Sequence, residues 1–529
     1  MRVRGETQIL FQKLLESHCV ERPFVCNPLS VSSHNNKKRL ILDLRYVNFF
    51  VYKDSFRCED LRSAAQVFKK NEFMYTFDLK SGYHHIDILP GHRNYLGFSW
   101  YLKGCIRYFV FCVLPFGLSS APYLFTKMMK PLVKKWRSEG KNIFVYLDDG
   151  FGEEFDYDFC SNVASQVCTD LLNFGWLPNP EKCIWEPQQV KVWLGTVVDL
   201  IRFKLFATDK RINKLFSALQ ETCDVIKRGV FTIPVRHLAS MVGQIISLAL
   251  CVGRVSRIRT RYLYYVIESR HTWYSHVVLD EYAVSELEFW LQTLHVLNGF
   301  PIEIHSKPVM RIFSDASSTG FGGYVEEDQN QFVHGFWKQV EQQHSSTWRE
   351  LEAIARVLDN VKVCISGKTV KWFCDSSSAV QIVKVGSVKR DLQDIAMRIF
   401  NTCTMLAINL DIEWIPRKDN DKADVLSKFF DVDDYSVNDS VFQFLNVLWG
   451  PFDIDRFANH LNTKLYRFNS RTWCPNTEGV DAFSFDWRKS NNWLHPPVDL
   501  VPRVLLHMKD CKATGTLVIP LWKSAFFWP

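Results

Sequence analysis

Two short apolar runs that end in carboxylates constrain this chain more than any other feature. FMYTFD closes on Asp78, and IFVYLDD closes on Asp148 and Asp149, with Gly150 directly after. Apolar or alternating residues over such a length, bounded by Gly, Pro and charges, read as buried strands. An acid that closes the run stands where a strand stops and a turn begins. On two neighbouring strands the carboxylates would lie side by side. They repel, so the group is stable only when protonated or neutralised by a cation. Hard divalent ions with oxygen ligands suit it, Mg²⁺ first. Two such ions about 3.5–4 Å apart are the usual device for in-line displacement at phosphorus. Taken alone, an Asp after a strand is more often a turn residue or a helix cap, so the surrounding sequence has to decide.

Composition narrows the class. A chain of 529 residues suggests about three or four domains. With 47% hydrophobic and 23% charged residues there is ample side chain to bury, which argues against disorder as the main state. Gly at 24 and Pro at 20, with no internal repeat, exclude collagen-like and low-complexity classes. Aromatic content of 14% suits large cores and base-stacking surfaces alike. The net charge of +7 permits a polyanionic partner without demanding one. The 15 cysteines are odd in number and lack C-x-x-C spacing, which reads as reduced thiols of an intracellular protein (cytoplasm, nucleus or both) rather than a disulfide framework or zinc site. MRVRGETQILFQKLLESHC carries charges where a secretory leader needs an apolar core. The longest apolar run, around Met241–Val252, includes Gly243 and Gln244 and is too short to cross a bilayer. It reads as a buried helix, and no membrane partner is expected.

Along the chain, a helix is expected around Thr7–Glu16. Short strands (RLILDL, FMYTFDL, IRYFVFCVL, IFVYLDD) alternate with helices (AAQVFKK, APYLFTKMMKPLVKKW, CSNVASQVCTDLLNFG) from Arg39 to Val198. Thr208–Val296 reads as almost wholly helical. NGFPIEIHSKPVM then breaks the pattern before a new strand-and-helix block up to about Lys428. DVDDYSVNDS is polar, and an aromatic-rich block follows to Pro529.

Between and around the two acid-ending runs lie KKRLILDLRYVN, FDLKSGYHHI, LPFGLSSAPYLFTKMM, FGWLPNPEKC and VWLGTVVD. In this order the set resembles the successive motifs of retroelement reverse transcriptases, over roughly residues 20–300. The resemblance implies that Asp78 and Asp148 hold two catalytic Mg²⁺ ions (Mn²⁺ as a substitute), supported by Asp149 and the backbone carbonyl of Leu79. Tyr83 would be the steric gate that selects deoxynucleotides. Arg39 would bind the triphosphate through its bidentate fork, with Lys38 less well placed. Lys182 would protonate or neutralise departing pyrophosphate. Phe116, where retroviral enzymes carry Gln, and Gly117 would lie against the incoming nucleotide and template. Trp193, Leu194 and Gly195 resemble the hairpin that grips the primer end. Arg254, Arg257, Arg259 and Arg261 spread over more than one helical face, so at least some should be solvated.

A second constellation follows. RIFSDASSTGFGGYV reads as a strand ending in Asp315, a Gly-rich turn and a second strand. STWRELEAIARVL reads as a helix carrying Glu350, with Ser346 or Thr347 as its cap. VKWFCDSSSAVQIV brings Asp375 and LDIEWIPRKDNDKADVLSK brings Asp424. Acids at successive strand ends with facing helices make another two-metal site. The set resembles a ribonuclease H domain over about residues 309–430. Its loop PRKDNDKAD keeps Asn420 but lacks the His found in many cellular members, and cleavage is expected to survive without it. Ser317, Ser318, Ser376 and Ser377 are candidates for hydrogen bonds to the RNA strand.

The last block contains FDIDRFANHLNTKLYRF, VDAFSFDW and NNWLHPPVDLVPRVL. It resembles phage-type adenine methyltransferases, yet Leu494-His495-Pro496-Pro497-Val498 lacks both the Asn/Asp and the aromatic residue of their Asn/Asp-Pro-Pro-aromatic turn. A structural or template-binding remnant is expected rather than methylation. Together the parts resemble the pol product of DIRS-type (tyrosine recombinase) retrotransposons. The resemblance implies an α+β multidomain fold, a right-hand polymerase with fingers, palm and thumb. An α/β ribonuclease H-like domain and a small C-terminal α/β block would follow. The expected boundaries are 1–205 for fingers and palm, 206–300 for thumb and connection, 301–430 for the nuclease, 431–448 for a linker and 449–529 for the last block. The expected activity is RNA-directed DNA polymerase with ribonuclease H. Its partners would be an RNA template, a DNA primer/template, RNA–DNA hybrid and deoxynucleoside triphosphates. The motifs set no oligomeric state. The competing expectation is a decayed or co-opted copy that binds nucleic acid without chemistry.

Overall fold

The computed structural model describes residues 19–20, 22–34, 37–52, 55–102, 104–302, 308–428, 436–460, 462–471, 474, 476–522 and 528. The helix expected around Thr7–Glu16 lies outside the described residues. By contacts the chain divides into two compact units. One comprises Met1–Ser217 with Leu250–Gly253 and Thr293–Glu303, and the other comprises Ala218–Ala249, Arg254–Gln292 and Ile304–Pro529.

The first unit centres on a four-stranded sheet. Its strands are β1 (Phe73–Asp78), β2 (Asn142–Tyr146), β3 (Asp149–Glu154) and β4 (Ile184–Gln188), in the order β2-β3-β1-β4. All pairings are antiparallel. Two helices, α1 (Ala121–Ser138) and α2 (Tyr157–Asn173), build its core. In α1, Pro122 sits in the first turn, where its missing N–H costs nothing. Ala121, Phe125, Met129, Leu132 and Trp136 recur at helical spacing and are buried. Asp156 caps α2 by accepting from the Phe159 amide at 3.0 Å. The Trp136 indole donates to Asp170 at 2.9 Å, joining the helices. Truncating Trp136 to Ala would cost about 3–5 kcal/mol.

The sheet explains the glycines of DGFG. Phe77 pairs with Gly150 and Tyr75 with Gly152. A Cβ on Gly150 would lie 2.0 Å from the Phe77 ring, and one on Gly152 would lie 2.2 Å from the Tyr75 ring. Large rings on β1 therefore require bare backbone opposite them. AAQVFKK forms less helix than its pattern suggests. The helix Leu61–Ala65 starts on Asp60, which accepts from the Arg62 and Ser63 amides. It closes early because the Val67 amide bonds to the Ala64 carbonyl at 3.0 Å, tightening into a turn.

The second unit contains a five-stranded sheet of β5 (Met310–Ala316), β6 (Gly320–Val325), β7 (Asp328–Phe336), β8 (Thr369–Cys374) and β9 (Asn409–Trp414), in the order β7-β6-β5-β8-β9. β5 pairs parallel with β8 and β8 with β9, while the hairpins β5–β6 and β6–β7 are antiparallel. Its helices are α3 (Ser346–Ile365), α4 (Ser377–Val385), α5 (Arg390–Met405) and α6 (Asp421–Ser427). Ile354, Leu358, Val361 and Ile365 of α3 share one core with Ile312, Trp372 and Ile412 of the sheet. The α3 cap is Ser345, which accepts from the Trp348 amide at 3.2 Å; it lies just before the expected Ser346 or Thr347 because the extended residue is Ser345.

The Thr208–Val296 region is helical apart from the short pair Thr232–Pro234 and His276–Val278. Its apolar run buries one face, including Met241, Val242, Ile245, Leu248, Cys251 and Val252, and is broken, with one helix ending at Ser247 and the next starting at Ala249. Three of its arginines bond to residues of β9, α4 and α5 in the same unit. Arg254 donates to the Leu410 carbonyl at 2.8 Å, Arg261 to the Val385 carbonyl at 2.6 Å, and Arg259 to Asn401 at 3.1 Å.

Within the stretch read as a linker, α7 (Asp439–Trp449) is a helix capped by Asn438. The last block is a parallel sheet of β10 (Ile454–Asp455), β11 (Asn491–Leu494) and β12 (Thr514–Leu517), with α8 (Val501–Cys511) between the last two strands. Buried Asn492 donates to three carbonyls and accepts from Arg456 at 2.7 Å. A shallow pocket lined by Asp455, Phe457, Lys464, Trp493 and His495 among others lies at the end of β10 and just past the end of β11. No described helix is long and apolar enough to cross a membrane.

Candidate active sites

The first site grows from the β1–β3 register. Asp78 and Asp149 are direct cross-strand partners. Leu147 adopts φ 52°, the left-handed bend that turns β2 into β3, and the Asp148 carbonyl accepts the Leu79 amide at 2.9 Å. Asp149 therefore opens a strand rather than closing one. Asp78 is buried. One of its carboxylate oxygens accepts from Asn179 at 3.2 Å, and the other pairs with the Lys182 ammonium. The Asp78 backbone is clamped by Cys183, whose sulfur accepts its amide at 3.3 Å and donates to its carbonyl at 3.4 Å.

Burial, then the charges of Asp148 and Asp78, push the Asp149 carboxyl up to about 6, and Lys182 offsets only part of this. Burial works against charge on Lys182, but its bond to Asp78 and the charges of Asp149 and Asp148 win, so its pKa is raised. This surplus of negative charge is what a hard divalent ion would relieve. The all-oxygen donor set of Asp78, Asp148 and Asp149 fits Mg²⁺ or Mn²⁺. Leu79 is buried and forms a bridge with Pro178.

Tyr83 lies on the single turn Gly82–His85. Its ring centre is 5.2 Å from Phe116 and 5.5 Å from Phe125. Burial first, then the Asp148 charge, raises its phenol pKa, which puts the ring beside the acid cluster. Gly117 has φ 110°, and a Cβ there would fall 2.3 Å from the Leu42 carbonyl. Its own carbonyl accepts from Asn48 at 2.9 Å. Arg39 lies on the strand Lys37–Leu42, opposite Ser32; its side chain and that of Lys38 lie outside the described residues.

Trp193 is packed in the core, 3% exposed, with its ring 5.0 Å from Phe151. Leu194 and Gly195, with φ 49° and 71°, form the tight turn between Val190–Trp193 and Thr196–Asp199. The Gly195 carbonyl accepts from Arg211 at 3.0 Å. Asp78, Asp148, Asp149, Lys182, Tyr83 and Phe116 thus come together, while the Trp193 ring serves packing. Asn179 and Cys183 were missed by sequence reasoning, and only their position beside Lys182 in NPEKC hinted at them.

The second site forms where parallel strands end together. Ser314 of β5 pairs with Cys374 of β8, so Asp315 and Asp375 are the next residues on adjacent strands. Asn420 donates to the Ser314 carbonyl at 3.0 Å, and Trp372 donates to the Ser314 hydroxyl at 2.9 Å. Burial, then Asp315 and Asp375, push Glu350 of α3 up to about 9. Burial also raises Asp315, with Asp375 and Asp424 adding to it and a Ser427 hydrogen bond opposing. Asp375 is raised by burial and by Asp424, against Arg417. Asp424 behaves oppositely, held low chiefly by Lys428 and also by Arg417, at 2.5 and 2.6 Å. Asp315 and Asp375 act on Glu350, and Asp424 acts on both of them, a connected set of carboxylates that again fits hard divalent ions. Ser317 bonds to the Ser427 carbonyl at 2.7 Å and Ser376 caps α4 by accepting from Ala379, so both have structural duties. Sequence reasoning missed Arg417, Lys428 and Cys374 at this site.

Residues 29–197 match the family model described as reverse transcriptase (RNA-dependent DNA polymerase). Among relatives, the retrovirus-related Pol polyprotein from transposon opus of Drosophila melanogaster is 23% identical over 444 residues, covering 80% of this chain and 42% of the relative. The Pol polyprotein from transposon 412 of the same fly is 28% identical over 187 residues, 34% of this chain and 15% of the relative. The genome polyprotein of Petunia vein clearing virus is 34% identical over 115 residues, 21% of this chain and 5% of the relative. The chain thus spans less than half the length of these relatives. A solved structure of the foamy viral protease-reverse transcriptase in complex with RNA/DNA hybrid is similar at TM-score 0.49 and 16% identity, covering 78% of this chain and 54% of that one. Residues 29–197, which carry Asp78, Asp148, Asp149 and Lys182, therefore form a reverse transcriptase domain in a chain related to retrotransposon Pol polyproteins.

Proposed function

We propose that the protein is an RNA-directed DNA polymerase with ribonuclease H activity, encoded by a DIRS-type retrotransposon. The observation that carries the polymerase reading is the cross-strand pair Asp78–Asp149 with Asp148 in the adjoining turn, inside the matched domain. Asp78, Asp148 and Asp149, with the Leu79 carbonyl, would hold two Mg²⁺ or Mn²⁺ ions. When bound, such ions lower the pKa of the attacking hydroxyl and stabilise the leaving oxygen. Lys182 holds Asp78 in place and is set to give a proton or charge to departing pyrophosphate. Tyr83, braced by Phe116 and Phe125, fills the space a ribose 2′-hydroxyl would need. Arg39 takes the triphosphate, Gly117 lies against the incoming nucleotide, and the Gly195 turn presses on the primer.

The ribonuclease H reading rests on Asp315 and Asp375 at parallel strand ends, with Glu350 of α3 and Asp424 of α6 brought close enough to couple to them. They would hold two ions around a water that attacks the RNA strand of a hybrid. The order of polymerase, nuclease and C-terminal block supports the DIRS-type assignment. The domain boundaries near 205, 300, 430 and 448 belong to the same reading, with the last block as a structural or template-binding part. Template recognition runs through backbone shape and charge, since a copying enzyme cannot depend on sequence.

The test is primer extension on an RNA template with deoxynucleotides and Mg²⁺, with release of labelled RNA followed in parallel. Asp148→Asn should abolish extension and spare RNA cleavage. Asp375→Asn should do the reverse. Binding of primer–template without extension by the unaltered protein would refute the polymerase reading and favour a co-opted binding protein.

A further inference from the structure

The second acid cluster contains a donor that is not an oxygen. Cys374 is the last residue of β8, on the inward face with Val370 and Trp372, and is fully buried. Its sulfur lies 3.8 Å from a Glu350 carboxylate oxygen. One ligand atom each from Glu350, Cys374 and Asp375 falls within 4.8 Å of the other two. We propose that Glu350, Cys374 and Asp375 form a mixed thiolate–carboxylate site for a thiophilic divalent cation, Zn²⁺ or Cd²⁺.

The geometry suits that class. Zinc bonds of about 2.3 Å to sulfur and 2.0–2.2 Å to carboxylate oxygen, at a tetrahedral angle, separate the two donors by about 3.6 Å. The observed 3.8 Å needs little adjustment. The Ser376 amide donates to the Cys374 sulfur at 3.4 Å, which fixes the sulfur in place. Coordination replaces the thiol proton with the metal and releases that proton to solvent. Mg²⁺ demands oxygen donors and retains water, so it gains nothing from the sulfur. The thiol therefore discriminates between metals at one cluster. This inference stands on the three donors alone and holds whether or not the cluster cleaves RNA.

The experiment is a Cd²⁺ titration of the full chain, followed at the ultraviolet sulfur-to-cadmium charge-transfer band, beside Cys374→Ser. The difference between the proteins isolates this thiol from the other cysteines. Cys374→Ser should lose the tightest site, with Cd²⁺ affinity down about tenfold or more, at least matching the loss typical for a supporting residue of a metal site. Mg²⁺ affinity measured by calorimetry should stay within about twofold. Glu350→Gln leaves the thiol in place and should also weaken Cd²⁺ binding about tenfold, so the answer does not rest on one variant folding. Unchanged band intensity and Cd²⁺ affinity in either folded variant would overturn the proposal. Loss of RNA cleavage with Cd²⁺ binding intact would count against the nuclease reading and leave this site standing.

Discussion

Glu286 offers a quantitative test of how the second unit is held together. It lies on the helix Glu281–Leu297 and is 1% exposed. One oxygen accepts the Leu263 amide at 3.0 Å, and the other has no hydrogen-bond partner among the described residues. Burial pushes its carboxyl up from 4.5 to about 8, against backbone hydrogen bonds and the Arg259 charge. The folded form therefore keeps a proton that the unfolded chain gives up. Stability from this group is complete below about pH 4.5 and is lost progressively as pH rises toward 8. The full displacement corresponds to roughly 5 kcal/mol, of which about 2 kcal/mol falls between pH 6 and pH 8. Glu286→Gln keeps the acceptor for Leu263 and cannot ionise. Relative to the unaltered protein it should gain about 2 kcal/mol over that pH interval. For a unit of this size that is roughly 4 °C in melting temperature. Differential scanning calorimetry of both proteins at pH 6 and pH 8 reads the difference directly. Melting curves that shift in parallel with pH would refute the argument, because the buried carboxyl would then ionise with no penalty.

Other consequences are as direct. Tyr83→Val should open the space beside Phe116 and raise ribonucleotide incorporation roughly tenfold or more, scored by alkali-labile sites in the product. Lys182→Met keeps the stem but removes the ammonium that pairs with Asp78; the extension rate at saturating nucleotide should fall by about 10²-fold. An unchanged rate would end the acid role. Arg417→Ala removes a cation that pairs with Asp424 and acts on Asp315 and Asp375. The Mg²⁺ requirement for hybrid cleavage should then drop, read as a lower half-saturating Mg²⁺ concentration. Gly117→Ala drives a methyl group into the Leu42 carbonyl and should destabilise the first unit by about 1–3 kcal/mol, seen in its denaturant midpoint.

Much of this architecture is legible in the sequence because the acids terminate apolar runs, and such runs become strands whatever surrounds them. Asp78, Asp315 and Asp375 sit at or next to strand ends for that reason, whereas Asp149 opens the strand after the turn. Partners separated by long loops are not legible. Lys182 reaches an acid 104 positions away, and nothing in PEKC names Asp78 as its target. Trp193 was read at the primer from its motif, but Phe151 covers its ring, and that packing exists only once β3 is in the sheet. The four arginines from Arg254 to Arg261 spread over more than one helical face in the sequence, yet three of them bond to segments more than 100 positions later. Cys374 resembles a core filler by type; its closeness to Glu350 depends on how α3 lies against β8.

The pairing of Asp78 with Asp149 also fixes what evolution or engineering can do to the hairpin between Asn142 and Glu154. Adding or deleting one residue in the strand would shift the ladder by one step and flip each following side chain to the opposite face. Gly150 and Gly152 would leave their aromatic partners, and bulky residues would meet the Phe77 and Tyr75 rings instead. Length variation should therefore be tolerated in connecting loops far more readily than here, and a library of single-codon insertions should show a sharp gap in surviving clones across this span.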